Sequence, residues 1–330
     1  MKIGIDVGAL CGKESGNKIF GLNIIKALMN KDKKNNYILY SFCKKRNNLK
    51  LNKNFTYKNL QPKYFWTKGA LRFEQIINKT DIFLGLNQAF PNSSSKKIIF
   101  SHGLSFIYFK NLYAENYKRL NSQLNKMLKE SDQIIVSSVK VKNEIEKVYS
   151  KSKNIKVLNY GIPDDFLTTQ KVKKKKYFLN VGNNHPIKNI KLLIKIFNNF
   201  RIQKDKDYKL YLVTDRKYTF IKDKNVIQLT KASRKTLKKL YLYAKGYLTT
   251  SSYESFNLPI LEALSQNTPV VALKSAYIPE MKRYINTAQT PTEFINQMVY
   301  LSNSKSKIDI LELKRVFSWT KYVEELIKMY

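Results

Sequence analysis

Glu254 and Glu262 stand eight positions apart within Gly246–Leu273, GYLTTSSYESFNLPILEALSQNTPVVAL. The apolar run ending at Thr249 reads as a strand, and the polar turn after it holds Glu254. Asn257 followed by Pro259 reads as the cap and first turn of a helix that starts near Leu258. The unpaired amides and positive dipole end of such a helix make a ready site for a phosphate or pyrophosphate. Two carboxylates beside an anion would repel it, so their expected chemistry is to accept from hydroxyls. The plainer alternative has Glu262 complementing the helix dipole and Glu254 capping the turn.

Other chemistries are short of residues. Only His102 and His185 occur, too few for a three-histidine metal site. Cys11 and Cys43 are the only cysteines, which gives neither a disulfide scaffold nor a zinc spacing and suits a reducing cytoplasm. The one Asp-x-Asp, Asp205-Lys-Asp207, lies among lysines in an apparent loop between a helix and a strand and reads as a solvated surface turn. No metal and no cofactor is therefore expected.

The elements that must position these residues alternate. Strands are expected at Ile3–Val7, Tyr37–Phe42, Asp81–Leu84, Ile98–Ser101, Gln133–Ser137 and Ile155–Leu158, with helices at Gly16–Asn30, Lys68–Asn78, Tyr113–Lys129 and Val139–Tyr149. The charged segment QKVKKKK, 170–176, reads as a linker. Beyond it come strands at Tyr177–Val181, Lys209–Val213, Val226–Leu229, Gly246–Thr249 and Val270–Leu273, with helices at Asn189–Phe200, Ser233–Tyr243, Leu258–Ser265 and Thr292–Leu301. Such alternation predicts an α/β protein of two Rossmann-like, doubly wound parallel-sheet domains facing a cleft. The expected domains are 1–168, a linker at 169–176, 177–316, and a last helix at 317–330 crossing back to the first domain. With 43% apolar residues each half has enough material for a core, and no run reaches the length needed to span a bilayer. The opening MKIGIDVGAL lacks the apolar stretch of a signal peptide.

The E-x7-E arrangement inside YESFNLPILEALSQNTPVVA resembles the donor-sugar motif of family 4 glycosyltransferases of the GT-B fold, the retaining group 1 type. The similarity extends in order through SGNKIFGLNIIKAL, SHGLSF, SDQIIVSSVKVKNEI, VLNYGIPDDF and FLNVGNNHPIKNIKLLI. By position the resemblance implies that Glu262 accepts from the ribose hydroxyls of a nucleotide-sugar and that Glu254 sits near the transferred sugar. Ser255, Phe256, Asn257 and Leu258 belong to the same donor-binding motif. Lys188 matches the cation that neutralises the donor diphosphate, and Gly16 opens a loop whose backbone approaches the phosphates or sugar. His102 matches a histidine closing a strand of the acceptor domain, a strand-end histidine held by carbonyls being the alternative. The sequence departs from the family at Asn183 and Ile187, where an arginine is common, at Lys18 and Ile19 in the glycine turn, and at Gly103 in place of an aspartate. Lys18 is expected either to compensate for the missing arginine at the donor phosphates or to face solvent.

The resemblance implies a hexosyltransferase acting with retention and without metal. It would move sugar from a nucleotide-sugar donor, a substrate and not a cofactor, to a glycan or lipid-linked acceptor in cell-surface polysaccharide synthesis. The net charge of +37 raises a competing reading, a weakened GT-B scaffold acting as a basic polyanion-binding protein. The charge divides evenly, +18 over residues 1–168 and +19 over 169–330, and consists mostly of lysine, as AT-rich coding would produce. Nucleic acid is thereby disfavoured as a partner. The expected location is cytoplasmic, with peripheral contact at an anionic membrane surface.

Overall fold

The computed structural model describes residues 1–12, 15–45, 49–149, 154–168, 170, 172–304 and 308–330. The chain divides into two compact units, Met1–Tyr160 with Ser318–Tyr330, and Gly161–Phe317. The division falls ahead of the 169–176 segment expected as a linker, of which Thr169 and Lys171 lie outside the described residues.

The first unit contains β1 (Lys2–Asp6), α1 (Gly16–Lys31), β2 (Asn36–Ser41), β3 (Phe55–Asn59), α2 (Ala70–Ile77), β4 (Ile82–Gly85) and β5 (Lys96–Ser101). It continues with α3 (Ser105–Tyr108), α4 (Ala114–Glu130), β6 (Gln133–Val136), α5 (Val139–Val148) and β7 (Ile155–Val157). Its sheet runs β3-β2-β1-β4-β5-β6-β7, and neighbouring strands are parallel throughout. The second unit contains β8 (Tyr177–Val181), α6 (Ile190–Gln203), β9 (Lys209–Thr214), β10 (Val226–Thr230), α7 (Arg234–Tyr243), β11 (Gly246–Thr249) and α8 (Leu258–Ser265). Then come β12 (Val270–Leu273), β13 (Asn286–Ala288), α9 (Pro291–Asn303) and α10 (Ile310–Val316). This sheet runs β10-β9-β8-β11-β12-β13, again parallel.

The central strands are short apolar runs because helices cover both faces of a doubly wound sheet. Every residue of β4, β6 and β11 is buried. The edge strand β3 was not expected from sequence. FTYKN is polar at three of its five positions and exposed at two, so it has the signature of a loop. The last helix, α11 (Trp319–Ile327), belongs to the first unit and packs on α1. Its Trp319 stacks on Tyr160 at 5.9 Å, and Trp319 and Tyr322 both meet Phe20 of α1.

The cysteines correct an expectation. Cys11 and Cys43 form a disulfide, with Cα atoms 5.8 Å apart, so they give no support to a reducing compartment. The reason is topological. Cys11 follows β1 and Cys43 follows β2, and these strands are parallel neighbours with Asp6 opposite Tyr40, which brings their exits together. Among the described residues no helix is long and apolar enough to cross a membrane.

Candidate functional site

In the second sheet the chain proceeds outward in one direction from β8 and in the other from β11, so the loops leaving these two adjacent strands part company at their carboxyl ends. Open parallel sheets bind ligands at such a switch point. Lys188 and Glu254 come from these two loops. After β8 the chain makes a short turn, Pro186–Lys188, in which His185 Nδ1 accepts from the Ile187 amide at 3.3 Å. Asn189, at a φ of 50°, takes the left-handed conformation that asparagine tolerates better than most side chains, and redirects the chain into α6. After β11 the loop is fastened back. The Ser252 amide donates to the Ile187 carbonyl at 2.8 Å and Thr250 Oγ1 to the Asn189 carbonyl at 3.1 Å. Lys188 Nζ then donates to Glu254 Oε1 at 2.6 Å, with both side chains largely buried. Gly182 makes room for this lysine, since a Cβ there would lie 3.3 Å from Lys188 Cε. The cation assigned by resemblance to a diphosphate is thus held by the carboxylate assigned to the sugar.

The start of α8 differs from its expected form. Asn257 is left-handed at φ 70°, its Nδ2 donates to the Ala276 carbonyl at 2.7 Å, and its side chain does not cap the helix. The turn must reverse sharply to bring α8 against the sheet, and that backbone carries the asparagine side chain away from the amides it would have capped. In the first turn of α8, Pro259 has no amide hydrogen and the Ile260 amide donates to the Asn257 carbonyl at 3.0 Å. Phe256 is buried and meets Phe317 edge-on at 6.2 Å, and Leu258 is also buried, so these two residues could offer a ligand only main-chain groups. Ser255 is half-buried.

Glu262, one turn into α8, is buried with both oxygens engaged. Oε1 accepts from Arg234 Nη1 and Oε2 from Tyr241 hydroxyl, each at 3.1 Å. Burial raises the carboxyl pKa, and Arg234 opposes that shift by favouring the ionised form. Arg234 also grips Asp165 with two bonds of 3.0 and 3.1 Å and stacks over Phe166 at 4.0 Å. Each carboxylate oxygen has two lone pairs, so Glu262 keeps capacity for a hydroxyl donor. Sequence reasoning missed Arg234 and Tyr241. The signal was Ser233, which caps α7 through the Thr236 amide and thereby fixes the helix start beside Arg234.

In the first unit His102 follows β5, half-buried, with Nε2 2.7 Å from the Leu86 carbonyl and Nδ1 2.7 Å from the Tyr160 hydroxyl. A carbonyl only accepts, so Nε2 carries the proton and Nδ1 accepts from Tyr160. Burial lowers the pKa of this imidazole, with the Leu86 bond opposing, so the ring is neutral and positioned. Gly16 begins α1, and a Cβ there would meet no other atom within 4 Å, so packing does not require glycine at this position. Lys18 is buried and its Nζ donates to the Gly12 carbonyl at 2.9 Å, contrary to the solvent-facing alternative. Asp6, at the carboxyl end of β1, was also missed. Its buried carboxylate accepts from the Gly8 amide at 2.9 Å and from Trp66 Nε1 at 3.2 Å. Desolvation raises its pKa to about 6 despite both bonds.

Asp205 and Asp207 lie in the turn between α6 and β9, where both approach Lys176, Asp205 at 2.9 Å. This is the solvated surface turn expected from the surrounding lysines.

Comparison with known proteins adds similarities. Residues 162–284 match the family of glycosyl transferases group 1. The O-antigen chain mannosyltransferase RfbU of Salmonella typhimurium is 34% identical over 161 residues, 45% of this chain and 44% of the relative, so the match spans less than half of that relative's length. Among solved structures, a sucrose-phosphate synthase from Thermosynechococcus elongatus superposes with a TM-score of 0.80 at 15% identity, covering 100% of this chain and 98% of the other. Alr3699/HepE of Anabaena, solved with UDP and glucose, gives 0.72 at 14% identity over 100% and 99% of the two chains. WaaG, a glycosyltransferase involved in lipopolysaccharide biosynthesis, gives 0.71 at 12% identity over 100% and 96%. Such low identities speak for the fold. The chain therefore has the two-domain Rossmann-like GT-B fold, and its residues 162–284 are similar to the glycosyl transferases group 1.

Proposed function

We propose that this chain transfers a hexose from a nucleoside diphosphate sugar to a glycan or lipid-linked glycan precursor, with retention and without a metal ion. The observation that carries the reading is the Lys188–Glu254 pair at the switch point of the second sheet, beside the start of α8. In this reading the bond from the anomeric carbon to the diphosphate oxygen breaks as Lys188 and the main chain leading into α8 stabilise the departing charge. Electrostatic groups placed in advance contribute about 3 kcal/mol each in such sites. Glu254, released from Lys188 by the diphosphate, accepts from a sugar hydroxyl, and Glu262 accepts from the ribose. The acceptor oxygen bonds the anomeric carbon from the face the diphosphate leaves, and its proton passes to the departing diphosphate, so no enzyme nucleophile is needed. In the first unit His102 belongs to the acceptor side, and the Gly16 loop with Lys18 belongs to the donor-binding residues. Glycan precursors are the acceptor class because the curated relative is, by its name, an O-antigen chain enzyme.

A thermal-shift panel of UDP-, GDP-, ADP- and dTDP-sugars tests this reading. Binding at about 100 times Kd adds about 2.7 kcal/mol of stability, so one donor should raise Tm clearly above the rest. A panel in which no donor moves Tm, while polyanions do, would instead favour the basic polyanion-binding alternative.

A further inference from the structure

Helix α2 buries only Leu71 among its large apolar residues. Its buried positions include Glu74 and Gln75, while Phe73, Ile76 and Ile77 lie on the surface. Tyr64 and Phe65, in the loop before it, are exposed as well, and the five side chains are 62–82% accessible. An amphipathic helix in a soluble protein normally turns the opposite face inward. Bonds fix this orientation. Lys58 Nζ reaches Glu74 Oε1 at 2.7 Å, and Gln75 Oε1 accepts from Thr80 Oγ1 at 2.9 Å. Phe65 holds a φ of 54°, a conformation a bulky residue adopts only under constraint, so the chain bears strain at the point where it presents an aromatic ring to solvent.

Charge identifies the occupant. Between Gln61 and Thr80 the exposed side chains include Lys63, Lys68, Arg72 and Lys79, and the only acid in that stretch, Glu74, is buried. The basic field continues onto Lys126 of α4, whose ammonium is held below the usual lysine range by burial and by Lys68, Lys97 and Arg72, against the pull of Glu130. An apolar ridge flanked by exposed Lys63, Lys68, Arg72 and Lys79, with no exposed acid between residues 61 and 80, suits a surface that is apolar beneath and anionic at its rim. We infer that the face formed by Phe65, Phe73, Ile76, Lys68 and Arg72 docks on an anionic lipid bilayer. The loop is tied to the sheet, since Trp66, next to Phe65, donates to Asp6 at the carboxyl end of β1, the edge at which open parallel sheets bind ligands. Docking here sets that edge of the first unit near the lipid headgroups. This inference is independent of the donor chemistry proposed for the second unit.

Vesicle sedimentation tests it, with phosphatidylcholine alone and with phosphatidylcholine containing phosphatidylglycerol. The variants are the combined Tyr64→Ser, Phe65→Ser, Phe73→Ser, Ile76→Ser chain and the combined Lys68→Ala, Arg72→Ala chain. All these positions are exposed, and unchanged Tm verifies folding. A basic side chain at an anionic surface multiplies affinity about fivefold, so the second variant should bind at least about twentyfold more weakly. Dispersed lysines alone would release the vesicles at about 0.5 M salt. The native chain should keep a salt-resistant component there, and the four-serine variant should lose it. Equal binding of the native and four-serine chains at every salt concentration overturns the inference. A native dimer in light scattering that the four-serine variant converts to monomer also overturns it, by assigning the face to a second copy.

Discussion

Glu254→Gln should tighten the binding of a free nucleoside diphosphate while nearly abolishing transfer. Lys188 Nζ lies 2.6 Å from Glu254 Oε1, and the side chains are 20% and 12% exposed. A phosphate oxygen arriving on the same ammonium would stand about 4.5 Å from that carboxylate, where two unit negative charges repel by about 3.7 kcal/mol at an effective dielectric near 20. Glutamine keeps the shape and removes the repulsion. Even when solvent and movement of the lysine cancel more than half of it, about 1.4 kcal/mol remains, a tenfold gain in affinity. Transfer needs the carboxylate on the sugar, and turnover should fall about a hundredfold or more. Titration calorimetry with the nucleoside diphosphate of the stabilising donor, alongside turnover of that donor, reads both effects. Diphosphate affinity that is unchanged or weaker in a folded Glu254→Gln protein refutes the reasoning, because Lys188 would then not be shared between the carboxylate and the phosphate.

Asp6 has a folded pKa of about 6 against an ordinary 3.8, so its contribution to stability is full below pH 3.8 and is lost as pH rises through 6. Asp6→Asn escapes that loss, and between pH 3.5 and 7 its stability relative to the native chain should rise by about 3 kcal/mol in paired denaturant titrations. A flat difference contradicts the burial argument. Arg234→Ala should cost about 3 kcal/mol, more than Glu262→Ala, because it leaves a buried carboxylate with Tyr241 alone, whereas Arg234 would retain Asp165. A double-mutant cycle should give a coupling of about 1–3 kcal/mol, and additivity would show that the contact carries nothing. Reduction of the Cys11–Cys43 bond, which closes a loop over a sequence separation of 32, should lower stability by about 3–4 kcal/mol, readable as a fall in Tm. Gly182→Ala should slow turnover by pressing on the Lys188 stem while changing stability by less than about 1 kcal/mol. Unaltered turnover would show that the lysine tolerates displacement.

The doubly wound architecture was legible because central strands such as Ile82–Gly85 and Gly246–Thr249 are buried on both faces and read as unbroken apolar runs. Phe55–Asn59 was not, since this edge strand exposes two of its residues and loses that signal. Among the site residues, Lys188 and Glu254 could be placed on loops after strands from their local patterns. Their ion pair could not, because it depends on β8 and β11 being neighbours across 66 positions of sequence. The same limit hid the Cys11–Cys43 bond and Arg234, whose partners Glu262 and Asp165 lie 28 and 69 positions away. Asn257 misled for a different reason. Its residue type favours a cap, but it is also among the few types that accept a left-handed backbone, and the turn into α8 uses the second property. Helix α2 carries Phe73, Ile76 and Ile77 at positions that periodicity alone would send inward, whereas Leu71 and the bonds to Glu74 and Gln75 set its inward face.

Turnover of the stabilising nucleotide-sugar, followed by phosphorus and proton magnetic resonance in excess chelator, tests the central claim most directly. The account predicts release of nucleoside diphosphate by the native chain and a product with the donor's anomeric configuration. It also predicts loss of that release in Lys188→Ala and in Glu254→Gln. Inverted product, activity restored only by adding a divalent metal, or release that survives both substitutions would contradict it.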